Sequence, residues 1–360
     1  MSSGPLSGIR VVEFAGIGPG PHCAMLLADL GAEVLRIQRP GGNGWPNPVV
    51  DRGRATLILD IRTPEGRDQA LEAIDMADVL IEGNRPGVME RLGLGPEVTL
   101  ERNPGLIYGR MTGWGQTGPL ATAAGHDINY IALTGALAAI GRPGEPATPP
   151  LNLLGDFGGG SMMLAFGIAA ALVERARSGR GQVIDAAIVD GTSSLMTMFA
   201  GLLPAGHISV ERDANMLGGA APFYRCYICA DGLEISVGAI EPQFYRQLVE
   251  RIGAPHDLLA RQHHRASWPE DCRLLERLFA TRTSLEWTAL LEGTDCCVAA
   301  VIPLTEAAAH PHMRARGVYV EHDGMEQIAP VPRFSRTPGE IRSAEEPVAM
   351  LARWRGTNGG

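Results

Sequence analysis

"IRVVEFAGIGPGPHCAMLLADLGAEVLRIQ", residues Ile9–Gln38, decides the fold. "IRVVEFAG" is a short, almost unbroken apolar run, the pattern of a strand buried on both faces. "PHCAMLLADLGA" follows with a helical pattern, and "EVLRIQ" is a second strand. Strand, helix and strand in so short a span make a parallel βαβ unit, because two parallel strands need a crossover between them. The same alternation continues outward. "ATLILD" is a third strand. "TPEGRDQALEAIDMA" is a helix opened by a Thr63 cap with Pro64 next to it. "DVLIEG" and "GLIYGRMTG" are strands, "GGGSMMLAFGIAAALVERARSGRG" is a long apolar helix starting near Gly159, and "GQVIDAAIVDG" is a strand. The reading is an α/β protein whose large domain is a Rossmann-like open parallel sheet.

From about Ala221 the character changes. "PFYRCYICADGLEISVGA" reads as two strands around an Asp231-Gly232 turn. Helices follow at "PQFYRQLVERIG" and "SLEWTALLEG", then strands at "VAAVIPL" and "GVYVEHDGMEQIAP". We therefore expect a large domain over 1–190, a linker helix region over 191–220 and a smaller α+β domain over 221–330. The Pro- and charge-rich tail, 331–360, is expected to return to the large domain.

The chain has 360 residues, 45% of them hydrophobic, and a net charge of −9. That balance argues against a nucleic-acid surface. No apolar run reads as long enough to cross a bilayer, and "MSSGPLSG" lacks a signal-peptide pattern, so a cytoplasmic protein without a membrane partner is expected. Six cysteines fit a reducing compartment, and the Cys226/Cys229 pair lacks the second half of a zinc site; no metal is expected. All 31 basic residues are arginine. Without lysine there is no Schiff base, no lysine nucleophile and no P-loop.

Five local patterns bear on chemistry. "GIGPGPH" has the glycines of a dinucleotide-binding turn, but Pro19 and Pro21 remove N–H donors, and the second strand ends in Gln38-Arg39 rather than in an acidic residue. A tight strand-to-helix turn is the better reading, and an NADP oxidoreductase ranks last. Arg36, Arg39, Arg52, Arg54, Arg62, Arg85 and Arg91 cluster in the first hundred residues and as a set suggest an anionic ligand. "GHDINYIALTG" sets His126 at a helix start, where the macrodipole disfavours an imidazolium. It is either an ordinary boundary residue or a tuned base. "LLGDFGGGSMM" places Asp156 before three glycines; a helix cap and a catalytic role are both open, and the glycines would let a ligand approach the backbone. Glu241 in "VGAIEPQFY" is, by itself, a first-turn carboxylate.

Taken together, "GPLSGIRVVEFAGIGPGPHCAMLLADLGAEVLRI", "RMTGWGQTGP", "GHDINYIALTG", "LGDFGGGSM", "GQVIDAAIVDG" and "VGAIEPQFY" resemble the α-methylacyl-CoA racemases of the family III CoA-transferase superfamily, from Gly4 to about Arg336. The resemblance implies that His126 and Asp156 are the two catalytic bases and that Glu241 is the carboxylate partnering the histidine. It implies a CoA site built from Arg39, Leu59, Asp60, Ile61, Arg62, Gly83, Asn84, Arg85, Arg91, Gly125, His126, Asp127, Ile128, Asn129 and Tyr130. It also implies an interlocked homodimer in which Glu241 of one copy serves His126 of the other. The sequence departs from the family at Asp51-Arg52-Gly53-Arg54 and at Arg62, where a lysine is frequent.

The expected reaction is a two-base 1,1-proton transfer at the carbon next to a thioester carbonyl, interconverting 2-methylacyl-CoA epimers through an enolate. The Asp127 amide is the candidate oxyanion donor. CoA is part of the substrate and no separate cofactor is expected. The main rival is a CoA-transferase with Asp156 as nucleophile; a catalytically silent CoA-binding module ranks lower, since all three proton-transfer residues are present.

Overall fold

The computed structural model describes residues 4–42 and 46–357. Six strands, β1 (Arg10–Phe14), β2 (Glu33–Gln38), β3 (Arg54–Ile58), β4 (Val79–Glu82), β5 (Ile107–Thr112) and β6 (Gln182–Ala187), form a parallel sheet in the order β3-β2-β1-β4-β5-β6. The chain runs from β1 out to β3 and then resumes on the other side of β1. Strand order therefore reverses between β1 and β4, and a crevice opens outside their carboxyl ends.

The period of two sends neighbouring β1 residues to opposite faces. Val12 packs with Leu35, Ile74, Leu80 and Tyr108 on one side. Val11 packs with Cys23, Leu27, Ile81 and Leu164 on the other. Both faces are covered, which is why the strands read as apolar runs. The helix Pro64–Asp75 starts as expected, with the Thr63 hydroxyl accepting the Gly66 N–H at 3.1 Å.

The contact-dense units do not follow the sequence boundaries. One unit comprises 1–136, 150–196 and 317–360; the other comprises 137–149 and 197–316. The hairpin of β10 (Tyr319–His322) and β11 (Met325–Ile328) thus belongs with the parallel sheet. Arg52 donates to the buried Gln327 at 3.2 Å, and Arg342 donates to the Ala28 carbonyl at 2.9 Å. The tail forms a helix, Pro347–Thr357, whose Met350 and Trp354 enter the core. The second unit has its own antiparallel sheet, β7 (Tyr224–Ile228), β8 (Glu234–Gly238) and β9 (Val298–Val301). Phe223, Tyr245, Trp268, Phe279 and Trp287 form its core with three helices, Pro242–Ile252, Trp268–Phe279 and Ser284–Leu291.

The apolar segment after β5 corrects two expectations. It is helical from Leu153 rather than from Gly159, and its first nine residues, Leu153–Ser161, are a π-helix that runs into the α-helix Met162–Ser178. The whole segment, Leu153–Ser178, is also long and apolar enough to cross a membrane by length and composition, with a mean hydropathy of 1.5. Its Leu164 and Ile168 are fully buried beside Gly109 of β5, and a Cβ at Gly109 would lie 3.0 Å from Leu164.

Candidate active site

The site is built over the crevice. The turn after β1 passes through Gly18, whose φ of 71° suits glycine. Pro19 then begins the helix Pro19–Asp29. A Cβ on Gly18 would sit 3.0 Å from an Asp156 carboxylate oxygen. The Asp156 side chain thus lies directly against the turn at the carboxyl end of β1.

Asp156 lies inside the π-helix, so it is not a helix cap, and the capping alternative is set aside. Runs of π-helix recur at functional sites. The glycines around it also have a different use from the one expected. A Cβ on Gly159 would meet Thr192 at 2.4 Å, and one on Gly160 would meet Pro19 and Ile188 at 3.1 Å. These glycines let the helices Ile188–Leu195 and Pro19–Asp29 pack against the segment; they do not open the backbone to a ligand. On the same side His22 stacks on Phe157 at 4.5 Å, and its Nδ1 lies 2.7 Å from the Ser161 hydroxyl. Burial, and then the charge of Arg52, lower the proton affinity of His22.

The second element is the helix Asp127–Leu133, with His126 as its cap residue in extended conformation, φ −132° and ψ 174°. The Asn129 side chain accepts the His126 N–H at 3.0 Å, which fixes the entry of the chain. The His126 ring is exposed. As the first helical residue, Asp127 has no intrahelical acceptor for its N–H. Its side chain turns inward and is 9% exposed. One carboxylate oxygen accepts the Asp156 N–H at 2.6 Å. Gly155 is required at this crossing, because a Cβ there would fall 2.3 Å from that oxygen and 2.8 Å from Ile131. The Tyr130 ring fills the space beside Gly113 and Gly125, and its hydroxyl donates to the Gly125 carbonyl.

This arrangement raises the Asp156 carboxyl from an ordinary 3.8 to about 6. Burial is the main cause, and the Asp127 charge adds to it. A hydrogen bond from Asn152 and the neighbouring His126 oppose the rise. Such a carboxyl exchanges protons near neutral pH. Sequence reading missed the Asp127 side chain, because only the crossing of two distant segments brings it to Asp156, and it missed Asn152, which precedes the π-helix on the same segment as Asp156.

A cavity of about 450 Å³ opens at the carboxyl ends of β1 and β2. Arg39, Leu59, Asp60, Ile61, Arg62 and Asn84 of the expected CoA set line it, together with Phe14 and Ile37, which were not foreseen. Gly83, Arg85, Arg91 and the stretch Gly125–Tyr130 are not among its lining residues. Asn84 is held from behind: its N–H donates to Glu82 at 2.6 Å, and Glu82 pairs with Arg110 at 2.9 Å. The arginine set divides. Arg39 and Arg62 are at the cavity, whereas Arg36, Arg52 and Arg54 are turned to Asp51, Asp29 and Glu13 at 2.6, 2.5 and 2.6 Å. Their charges serve the fold, contrary to the suggestion of one anion-binding set. Arg62 chelates Asp60 through two bonds of 2.8 Å, which holds the Asp60 carboxyl down at about 2.

Glu241 lies in the other unit, where it caps the helix Pro242–Ile252 with its carbonyl, accepting the Phe244 and Tyr245 N–H groups at 3.0 Å. Its side chain is exposed, and its charge helps to raise the proton affinity of the Cys297 thiol behind the effect of burial. Among the described residues no cluster of three or more His, Cys, Asp or Glu side chains could hold a metal ion.

The family model described as CoA-transferase family III matches residues 6–349. An α-methylacyl-CoA racemase from Mus musculus is 46% identical over 343 residues, 95% of this chain and 90% of that protein. One from Homo sapiens is 44% identical over 92% of this chain and 90% of that protein. The crystal structure of a CaiB/BaiF family protein from Brucella suis superposes with a TM-score of 0.83 at 27% identity, over 98% of this chain and 100% of that one.

Proposed function

Since this chain belongs to CoA-transferase family III, we propose that it is an α-methylacyl-CoA racemase, which interconverts (2R)- and (2S)-2-methylacyl-CoA thioesters. The observation that carries this reading is that two different titratable side chains, His126 and Asp156, come from separate elements and lie near enough for the histidine to act on the carboxyl; they are the two proton carriers of this reading. In one direction the His126 imidazole takes the α-proton, electrons move onto the thioester oxygen, and the Asp156 carboxyl returns a proton to the opposite face. In the other direction the roles exchange. Each well-placed group contributes about 10²–10⁴-fold.

The Asp127 N–H is the donor for the enolate oxygen; one such donor is worth about 2.7–4 kcal/mol of barrier. The cavity beside Arg39 and Arg62 takes part of the CoA moiety, with arginine the residue suited to phosphate. Glu241 of a second copy orients and stabilises the imidazolium of His126, in an interlocked homodimer. Support for association is the exposed apolar side of the site-bearing helix, where Phe166, Val173 and Met162 are 73%, 56% and 51% exposed. Two proton carriers and one N–H donor suffice for this chemistry, and CoA enters with the substrate.

The test is to incubate a single-enantiomer 2-methylacyl-CoA with the protein, with and without an added carboxylic acid. Loss of optical purity without the acid is expected. Retained configuration with CoA moving onto the acid would overturn the reading and make Asp156 a nucleophile that forms an acyl anhydride.

A further inference from the structure

We propose that the Asp127 carboxylate is a positioning residue for Asp156, which clamps the backbone of that residue inside the π-helix and sets a second negative charge beside its carboxyl. The proposal deepens the two-base reading and rests on it for its consequence in catalysis, though not for its physical content.

Three observations carry it. Asp127 accepts the Asp156 N–H at 2.6 Å, so its carboxylate holds the backbone of that residue inside the π-helix. That bond passes through a tight crossing, where Gly155 leaves no room for a Cβ. The other carboxylate oxygen of Asp127 is buried and has no hydrogen-bond partner among the described residues. A residue present only to tie two segments together would do so at lower cost as an amide or hydroxyl. A nine-tenths buried carboxylate with an unsatisfied oxygen is an expensive choice, and what it adds is charge.

Burial raises the proton affinity of Asp127 as well, and the Asp156 N–H bonded to it opposes that rise by favouring the charged form. The groups facing Asp156 leave that charge largely uncompensated. The turn Gly16–Pro21 presents Gly18 and no ionisable side chain. The helix Ile188–Leu195 presents Ile188 and Thr192 to the π-helix. His22 is turned to Ser161 and Phe157. Asn152 is neutral. His126 is the group that opposes Asp127 at the Asp156 carboxyl, and Tyr130, its own proton affinity raised first by burial and then by Asp156, carries no charge at neutral pH. Two like charges kept close hold a proton on one of them. Asp127 thereby keeps Asp156 able to donate near neutral pH, as the return half of a proton transfer requires.

The experiment follows the side-chain carboxyl signals of ¹³Cγ-aspartate-labelled protein against pH by NMR. The Asp156 signal is assigned by its loss in Asp156→Asn. In Asp127→Asn, which keeps an acceptor for the clamp and removes the charge, the Asp156 midpoint should fall by about one pH unit. The acid limb of kcat/KM for racemisation should move down with it. Asp127→Ser, which also removes the charge, reads the same midpoint if the Asn variant does not fold. An unchanged or raised midpoint in the folded variant would overturn the proposal, since a purely structural tie would not move it. A wild-type chain that fails to racemise while its Asp156 midpoint still falls in Asp127→Asn would overturn the functional reading and leave this one standing.

Discussion

Replacing Asp156 by Asn should make the protein more stable above pH 6 while removing its activity. Asp156 sits partly buried beside a second carboxylate, and its proton affinity is raised from 3.8 to about 6. Well below pH 3.8 the carboxyl is protonated in both folded and unfolded chains and contributes no difference. Between 4 and 6 the unfolded chain releases the proton that the folded chain retains. The unfolded state then binds fewer protons, so stability falls as pH rises and stays reduced above the folded pKa. At about 1.4 kcal/mol per unit the full rise corresponds to about 3 kcal/mol. Halving this for solvent screening at a partly exposed group leaves about 1.5 kcal/mol. An asparagine has no proton to lose and escapes the penalty. Urea unfolding at pH 4.5 and pH 8 measures it: the stability of Asp156→Asn minus that of wild type should be small at the lower pH and larger by about 1–2 kcal/mol at the higher. A gap that does not widen with pH, or a less stable variant at pH 8, would refute the reasoning.

Other outcomes follow from the same geometry. His126→Ala and Asp156→Ala should each lower racemisation at least about a hundredfold while the proteins still bind CoA esters, and Glu241→Ala should cost less than His126→Ala; kcat and KM for both enantiomers check this. Gly155→Ala should cost about 1–3 kcal/mol of stability and reduce turnover, because its methyl group displaces the Asp127 carboxylate; urea midpoints alongside racemisation rates would expose an unaffected variant. Glu13→Ala should cost about 3–5 kcal/mol, because it strips the fully buried Arg54 of a partner at 2.6 Å, a loss that thermal or urea unfolding would detect.

The parallel sheet was legible because its information is local. Each strand is a short apolar run, and Thr63-Pro64 marks a helix start by its own chemistry. His126 at a helix start was legible for the same reason. What was not legible depends on segments that meet only after folding. Arg36, Arg52 and Arg54 look like anion ligands until Asp51, Asp29 and Glu13 are seen to occupy them. The glycines after Asp156 look like backbone openings until Gly159 and Gly160 are seen packed against neighbouring helices. A π-helix has no periodic signature distinct from an α-helix over nine residues, so the helix start was read late. The tail reads as Pro- and charge-rich because only Met350, Trp354 and their neighbours face inward. The role of Glu241 had no structural signal within its own unit, where it is an exposed cap residue, and it rests on the family resemblance.

The most direct test of the central claim is proton NMR of a single-enantiomer 2-methylacyl-CoA with the wild-type protein in D₂O. Two-base proton transfer predicts that the α-proton signal disappears as deuterium enters, in step with loss of optical purity. An α-proton that persists under conditions where the protein binds the thioester would contradict it.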